Sequence, residues 1–261
     1  MTLVVLGDLM VDVVTRVSGP LRRGSDTPAQ ITVQGGGSAA NVAAWAAHLG
    51  TPVVLVCRVG DDDRGRAAVA ALRGVDVRAA VDRARPTGTC IVLVEPGGER
   101  TMLPDPGAND GPLPEIPLGD HLHVAGYALL RDGPRAGALA AIEQARAAGM
   151  TVSVDPSSWA LLRPGAIPPV DLLLPNEREA ERVSGDMVVK LGARGARWGE
   201  VHVPAQPVSV VDTTGAGDAF AAGFLSARLG GAGPREALEA GCRAGGQAVA
   251  QVGARPLSSY D

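Results

Sequence analysis

The sequence predicts an α/β protein built on a doubly wound, mostly parallel sheet, with a small β-sheet projecting from it as a lid. Three observations carry that prediction. Continuous apolar runs such as Leu3 to Leu6 and Val53 to Val56 match strands buried on both faces. From Pro52 onward these runs alternate with segments of helical spacing, as parallel strands joined by crossover helices do. Two pairs of short alternating segments read instead as antiparallel ribbons.

At 261 residues and 46% hydrophobic content the chain can bury a sizeable core, and 1–261 reads as one domain with lid strands from about 13–33 and 89–104. The net charge of −4 is scattered, which points away from nucleic acid and from an anionic membrane as partners. Of 24 basic residues only Lys190 is a lysine, a chain-wide bias toward arginine. Cys57, Cys90 and Cys242 are odd in number and form no C-x-x-C pair, so neither a disulfide framework nor a zinc site is expected, and a reducing cytoplasm is the expected location. The apolar start LVVLGDLMVDVV lacks a basic leader and is broken by Asp8 and Asp12; it reads as a buried strand, not a signal peptide or membrane span.

That first strand ends at Gly7-Asp8, and Asp12 follows four residues on. Ligands in open α/β sheets lie beyond the carboxyl ends of strands, so both aspartates stand where substrate hydroxyls are bound; a turn residue and a solvated residue are the plain alternative. Val13 to Val17 and Ile31 to Val33 form one expected ribbon. Cys90 to Val94 and Arg100 to Leu103, joined by Glu95-Pro96-Gly97-Gly98, form the other, and a sheet of both suits a lid or a dimer contact.

Between Gln34 and Gly50 three glycines precede a helix with Val42, Trp45, Ala46 and Leu49 at core spacing and Gly50 as its stop. Gly35, Gly37 and Ala40 also satisfy the G-x-G-x-x-A form of a dinucleotide site, the rival reading of a nicotinamide-dependent oxidoreductase. Against it, the glycines follow an alternating strand and not the buried first one, Asn41 is polar where the helix turns inward, and no acidic residue closes PVVLVCRVG before Asp61. Farther on, helices are expected over Arg64 to Leu72 and Arg135 to Ala148. Leu122 to Ala125, Thr151 to Val154, Leu172 to Leu174 and Met187 to Leu191 continue the sheet, and Pro104 to Pro117 reads as a surface loop.

Val210 to Phe224, VVDTTGAGDAFAAGF, reads as a strand, a tight glycine turn and a helix start. Glycines at a helix entrance leave the first N–H groups open, and those groups have no partner inside the helix, so the turn is an anion site. Asp218 beside it has two readings of equal weight: a first-turn carboxylate that stabilises the helix, or a base that takes a hydroxyl proton while Ala216 to Asp218 hold a transferring phosphoryl group.

Taken together, these strings resemble the ribokinase-like, or PfkB, family of carbohydrate kinases over nearly the whole chain. GGGSAANVAAWAAHLG, with Gly60 after nine further residues, is similar to the family's N-terminal signature, and DTTGAGDAFAAGF to its C-terminal one. GDLMVD, VGDDDRG, PGAN, NERE and KLGARG support it. The resemblance implies an ATP- and magnesium-dependent kinase acting on the primary hydroxyl of a sugar, a ketodeoxy sugar acid or a nucleoside; a silent sugar-binding protein of the same fold is the other alternative. It makes Asp218 the catalytic base and Gly215, Ala216 and Gly217 the anion hole. Asp12, Gly36, Gly37 and Asn41 match positions for sugar hydroxyls, with Asn109 facing the same pocket. Asn176 and Glu179 match an N-x-x-E element for magnesium and phosphate, acting through water. Lys190, Gly192 and Gly195 match the strand-loop that receives the nucleotide, and Asp212 and Thr214 part of a monovalent-cation (potassium) site.

Two departures stand out. NEREAERVSG passes straight into DMVVKLG where the family usually inserts a helix, so either the nucleotide side is trimmed or the chain is incomplete there. Lys190 stands where a small hydroxyl residue is more usual, and as a strand-end lysine it is expected at the surface. The stretch Gly37 to Asn41 lacks the lysine typical of ribokinase proper. At 3% aromatic content, only Trp45, Trp159 and Tyr127 are candidates to stack a base, which weighs against a nucleoside. No Walker sequence is present, so the glycine turn before Asp218 takes the phosphate role. The lid is the expected surface for a homodimer.

Overall fold

In the computed structural model, which describes residues 1–97 and 99–257, Leu3–Leu6 (β1) is buried at every position. It lies between Val53–Gly60 (β4) and His121–Ala125 (β8). Asp76–Asp82 (β5), Thr151–Asp155 (β9) and Leu172–Leu173 (β10) complete a parallel six-stranded sheet in the order β10-β9-β8-β1-β4-β5. The winding direction reverses between β1 and β8, the position at which open parallel sheets form ligand crevices. Asp8 follows β1 there, and Tyr127 follows β8.

Successive strand residues face opposite sides of a sheet. Leu3, Val5, Leu55 and Cys57 pack with Ser38–His48 (α1), Ala216–Leu229 (α6) and Pro234–Val249 (α7). Val4, Leu6, Val54 and Val56 pack with Asp132–Ala147 (α4), whose buried Ala138, Ala141, Ile142 and Ala145 follow helical spacing. Three shorter helices, Asp63–Ala70 (α2), Tyr127–Leu130 (α3) and Glu177–Ala180 (α5), fill the connections.

The lid is a four-stranded sheet of Met10–Val17 (β2), Ala29–Gly36 (β3), Thr89–Val94 (β6) and Arg100–Asp105 (β7), ordered β3-β2-β6-β7. Both expected ribbons are present, and β2 pairs with β6 in parallel to join them. Gly98 of the second hairpin turn lies outside the described residues. Because β2 begins at Met10, Asp12 belongs to the lid and not to the turn after β1.

Elsewhere the structure corrects the sequence reading. Val188–Lys190 (β11) has two different neighbours: parallel bridges of Leu173 with Met187 and of Asn176 with Lys190 set its segment beside β10, as the sequence leads one to expect, while on its other side it pairs antiparallel with Ala196–Trp198 (β12), which pairs with Val201–Val203 (β13). The links from β11 to β12 and from β12 to β13 are too short for the crossover that a parallel neighbour needs, so those pairs are antiparallel. β5, whose alternating half-exposed pattern carries only a weak strand signal, forms the edge beyond β4. Val210 and Val211 are exposed and form no strand; Pro204 and Pro207 upstream cannot donate to a ladder, and the N–H groups of Val211 and Asp212 turn to the Val249 carbonyl. The Pro104 to Pro117 stretch is no plain surface loop: β7 runs to Asp105, and a 3-10 turn at Gly107–Asp110 buries Ala108 and Asn109. Leu49 is exposed because α1 ends at His48 and the chain reverses at Gly50. Among the described residues no helix is long and apolar enough to cross a membrane.

Trp45 is the largest fully buried side chain, and its indole N–H donates to the Ala254 carbonyl at 2.9 Å, tying α1 to the C-terminal segment. We expect Trp45→Ala to lower stability by about 3–5 kcal/mol and Trp45→Phe, which keeps a ring but leaves that carbonyl unpaired, by about 1–3 kcal/mol, read from urea unfolding midpoints.

Candidate active site

The turn into α6 is held from both sides. Asp212 Oδ1 accepts from the Thr214 N–H and hydroxyl at 2.9 and 2.6 Å, and Oδ2 accepts from the Gly253 N–H at 3.0 Å. Gly215 caps the helix with φ 73°, where a Cβ would meet the Ala254 carbonyl oxygen at 2.6 Å. Glycine alone fits there. Among the described residues no backbone or side-chain acceptor lies on the N–H groups of Gly217 and Asp218. With the helix dipole behind them, they have the open donors that an anion site needs.

Asp218 does not cap its own helix; it looks across to α1. Its oxygens accept from the Ser38 hydroxyl at 2.8 Å and from Asn41 Nδ2 at 2.9 Å. Burial pushes its pKa up to about 7, with Asp155 adding to the rise and the Asn41 and Ser38 hydrogen bonds opposing it. Asn41 is oriented in turn by Arg255, whose Nε donates to Asn41 Oδ1 at 3.3 Å while Nη2 donates to the Gly36 carbonyl at 2.9 Å. Burial draws Arg255 down to about 10. Asp12 beside it rises to about 6 through burial, with Arg255 opposing and Asp8 adding.

Asp8 accepts from the N–H groups of Ser38 and Ala39 at 3.2 and 3.3 Å. It therefore fills the N-terminus of α1, the place where a dinucleotide reading of Gly35 to Ala40 would need a pyrophosphate. Gly35 and Gly36 lie in the antiparallel lid strand β3 and not in a turn after a parallel strand, so that reading loses its structural context.

Asp155 closes β9 and forms an ion pair with Lys190. Lys190 is not the surface residue expected of a strand end: its side chain is only 15% exposed. Burial pulls its pKa down, but Asp155 and Glu179 outweigh that and raise it. Asn176 and Glu179 form a reciprocal capping box at α5, Asn176 Oδ1 accepting from the Glu179 N–H at 3.0 Å and Glu179 Oε2 from the Asn176 N–H at 2.9 Å. Glu179 is buried, and that burial, reinforced by Asp155, raises its pKa.

Two cavities meet at this point. One, of about 620 Å³, is lined by the carboxylates of Asp8, Asp12, Asp155, Glu179 and Asp218 and by Gly37, Asn41 and Asn176. The other, of about 510 Å³, is mostly apolar and lies against Gly192, Gly195, Val208, Phe220 and Gly246. Lys190, Thr213 and Gly217 line both. Thr214 lines the first, while Asp212 lies behind it against the lid.

Asn109 is not on the acidic cavity; both ends of its amide are spent on the Leu9 backbone, at 3.2 and 2.9 Å. Gly36 is not on it either, but a Cβ there would collide with the Asp12 carboxylate. Trp45 is core, the Trp159 ring meets the guanidinium groups of Arg178 and Arg182, and only Tyr127 of the three aromatic candidates lines the acidic cavity. Ser38, Asp155, Arg100 and Arg255 escaped the sequence reading. Asp155 had a usable signal, since it closes a buried strand as Asp8 nearly does; the arginines had none.

A sequence profile of pfkB family carbohydrate kinases matches residues 1–259. The ATP-dependent ribose-1-phosphate kinase of Halopiger xanaduensis is 36% identical over 87% of this chain and 84% of its own length. Among solved structures, an adenosine kinase from Sinorhizobium meliloti superposes with TM-score 0.83 at 25% identity over 99% of this chain and 96% of its own. A fructokinase from Vibrio cholerae O395, solved with fructose, ADP and calcium, gives TM-score 0.79 at 26% identity over 97% and 94%. With a profile covering nearly every residue and relatives aligned almost end to end, this chain belongs to the pfkB family of carbohydrate kinases.

Proposed function

We propose that this ATP-dependent kinase passes the γ-phosphoryl group across the α6 N-terminus to a primary hydroxyl of a sugar held in the acidic cavity, with Asp218 taking the hydroxyl proton. The observation that carries this reading is the pair of free N–H groups at Gly217 and Asp218, set where a polar and an apolar cavity meet. Phosphoryl transfer needs little covalent help, so positioning and preorganised donors supply the rate. A carboxylate with pKa about 7 is a far better proton acceptor at neutral pH than an ordinary aspartate.

In this reading Gly215, Ala216 and Gly217 hold the charge of the moving group, and Asp12, Gly37 and Asn41 bind acceptor hydroxyls. Gly36 leaves room for the Asp12 carboxylate. Asn109 acts only by fixing Leu9. Lys190, Gly192 and Gly195 face the nucleotide, whose apolar part suits the second cavity. The acidic cavity carries six carboxylates, Glu99 included, against Arg100, Arg131 and Lys190, an imbalance that fits magnesium held largely by nucleotide phosphates. Among the described residues no group of three or more metal-ligating side chains exists to bind it alone. Glu179 and Asp155, with Asn176, would hold it; bound there, it neutralises phosphate charge.

A free pentose or hexose, or a simple derivative, is the acceptor we favour. Carboxylates and an amide suit many hydroxyls, and Tyr127 is the one ring among the described lining residues, too little to sandwich a base. The names of the relatives, a ribose-1-phosphate kinase and a fructokinase, agree with a sugar, while the adenosine kinase keeps a nucleoside as second choice. We further propose that the chain acts as one domain in the cytoplasm, where its free, buried cysteines are suited to a reducing environment. It pairs with a second copy through the lid: Val33, Val13, Ile91 and Leu103 stand in one cross-strand row on the outer face, with Val33, Ile91 and Leu103 exposed by 68%, 44% and 55%.

ADP release screened over pentoses, hexoses, ketodeoxy acids and nucleosides is expected to find an acceptor among the sugars; ATP-independent behaviour with every compound would sink the reading. Asp218→Asn should cut turnover by about 10²–10⁴ with nucleotide binding by calorimetry retained. For the wild type, kcat/KM should climb about tenfold per pH unit below pH 7 and level off above it, since the ionised form is the active one. Folded Asp218 titrates above an unfolded aspartate, so its contribution to stability is present below about pH 4 and lost as pH rises through 7. Asp218→Asn should therefore melt several degrees above wild type at pH 8, the gap closing toward pH 4. Ile91→Glu should turn a dimer into a monomer in light scattering.

A further inference from the structure

Arg100 opens lid strand β7, yet its guanidinium reaches out of the lid. Nη1 pairs with Asp212 Oδ1 at 2.8 Å and donates to the Thr214 hydroxyl, and Nη2 donates to the Thr213 hydroxyl. The pair is partly buried, the two side chains being 29% and 11% exposed. Asp212 Oδ1 thus receives the Thr214 N–H, the Thr214 hydroxyl and the guanidinium, while Oδ2 receives the Gly253 N–H. A carboxylate has about four acceptor sites, and here four donors converge on it.

Asp212 and Thr214 are the residues that family resemblance assigns to a monovalent cation, and they do not fit one. Their oxygens are already committed, and the Arg100 guanidinium occupies the space beside them. A second cation at that spot would meet full-charge repulsion at a few ångströms.

We infer that Arg100 is itself the resident cation of this turn. It is a positioning residue carried by the lid, holding Thr213 and Thr214 so that the following amides face the phosphate, and it leaves the kinase indifferent to potassium. The inference rests on the reading of the α6 N-terminus as the phosphoryl site only for its effect on rate; the cation indifference stands on the contacts alone.

Two readouts test it. Thermal melting in potassium chloride against choline chloride at equal ionic strength needs no acceptor, so it decides the point even where no sugar is turned over. The wild type should melt at the same temperature in both salts, Arg100→Ala should gain a potassium-specific rise, and Arg100→Lys, which keeps a charge, should behave as wild type. With an acceptor from the ADP-release screen, wild-type rates should be equal in potassium, sodium and choline salts. Arg100→Ala should lose about 10- to 100-fold in kcat, part of it restored by potassium. Potassium-specific stabilisation or activation of the wild type, or an Arg100→Ala protein that potassium neither stabilises nor activates, overturns the inference; if Arg100→Ala does not fold, the wild-type and Arg100→Lys arms still decide.

Discussion

Like charges crowded around one cavity set the terms for everything near it. Asp8, Asp12, Asp155, Glu179 and Asp218 all line the same space. Each is tolerated by a different device. Asp8 rests on the N-terminus of α1, Asp155 on Lys190, Glu179 in a capping box, Asp12 near Arg255, and Asp218 on the donors of Ser38 and Asn41. The devices are unequal, and the inequality is informative. Burial leaves Asp12, Glu179 and Asp218 with raised pKa values, and of these only Asp218 belongs to the helix whose first amides are open. A group kept near neutrality by its surroundings, beside unoccupied N–H donors, suits proton transfer better than structural support.

The parallel sheet explains why these residues converge. Strand ends at the winding reversal bring Asp8 and Tyr127 together, and Asp155 ends the next strand over. Helix α6 then presents Asp218 from one core face, while the lid supplies Asp12 from above the crevice. No single segment contains the site. The Ser38 to Asp218 contact spans 180 residues of chain and the Asn41 to Arg255 contact 214, so the centre exists only when distant parts of the chain are brought together.

Much of this was legible in the sequence where local physics decides. Leu3 to Leu6 had to be buried on both faces, the two ribbons announced themselves by alternation, and DTTGAGDAF could hardly avoid a glycine turn at a helix start. What stayed hidden depends on partners distant in sequence. Nothing within Val188 to Lys190 says that the strand on its far side from β10 is antiparallel, since that is fixed by a short return to Ala196. Nothing near Asn109 says that its amide serves Leu9. Arg100 and Arg255 look like any of the chain's many arginines, and only folding shows which carboxylate or carbonyl each one meets. Lys190, read as a solvent-facing residue, was misjudged for the same reason: Asp155 lies 35 positions away.

Gly253, Ala254 and Arg255 have been met one at a time: as a donor to Asp212, as the wall behind Gly215 and the acceptor of the Trp45 indole, and as the residue orienting Asn41. Together they make the site depend on three consecutive residues that belong to neither the sheet nor a helix. Without them the glycine turn would lose its brace on Asp212 and its wall at Ala254, and Asn41 the donor that orients it. A single proteolytic cut in this short segment would therefore disarm the site at three points at once.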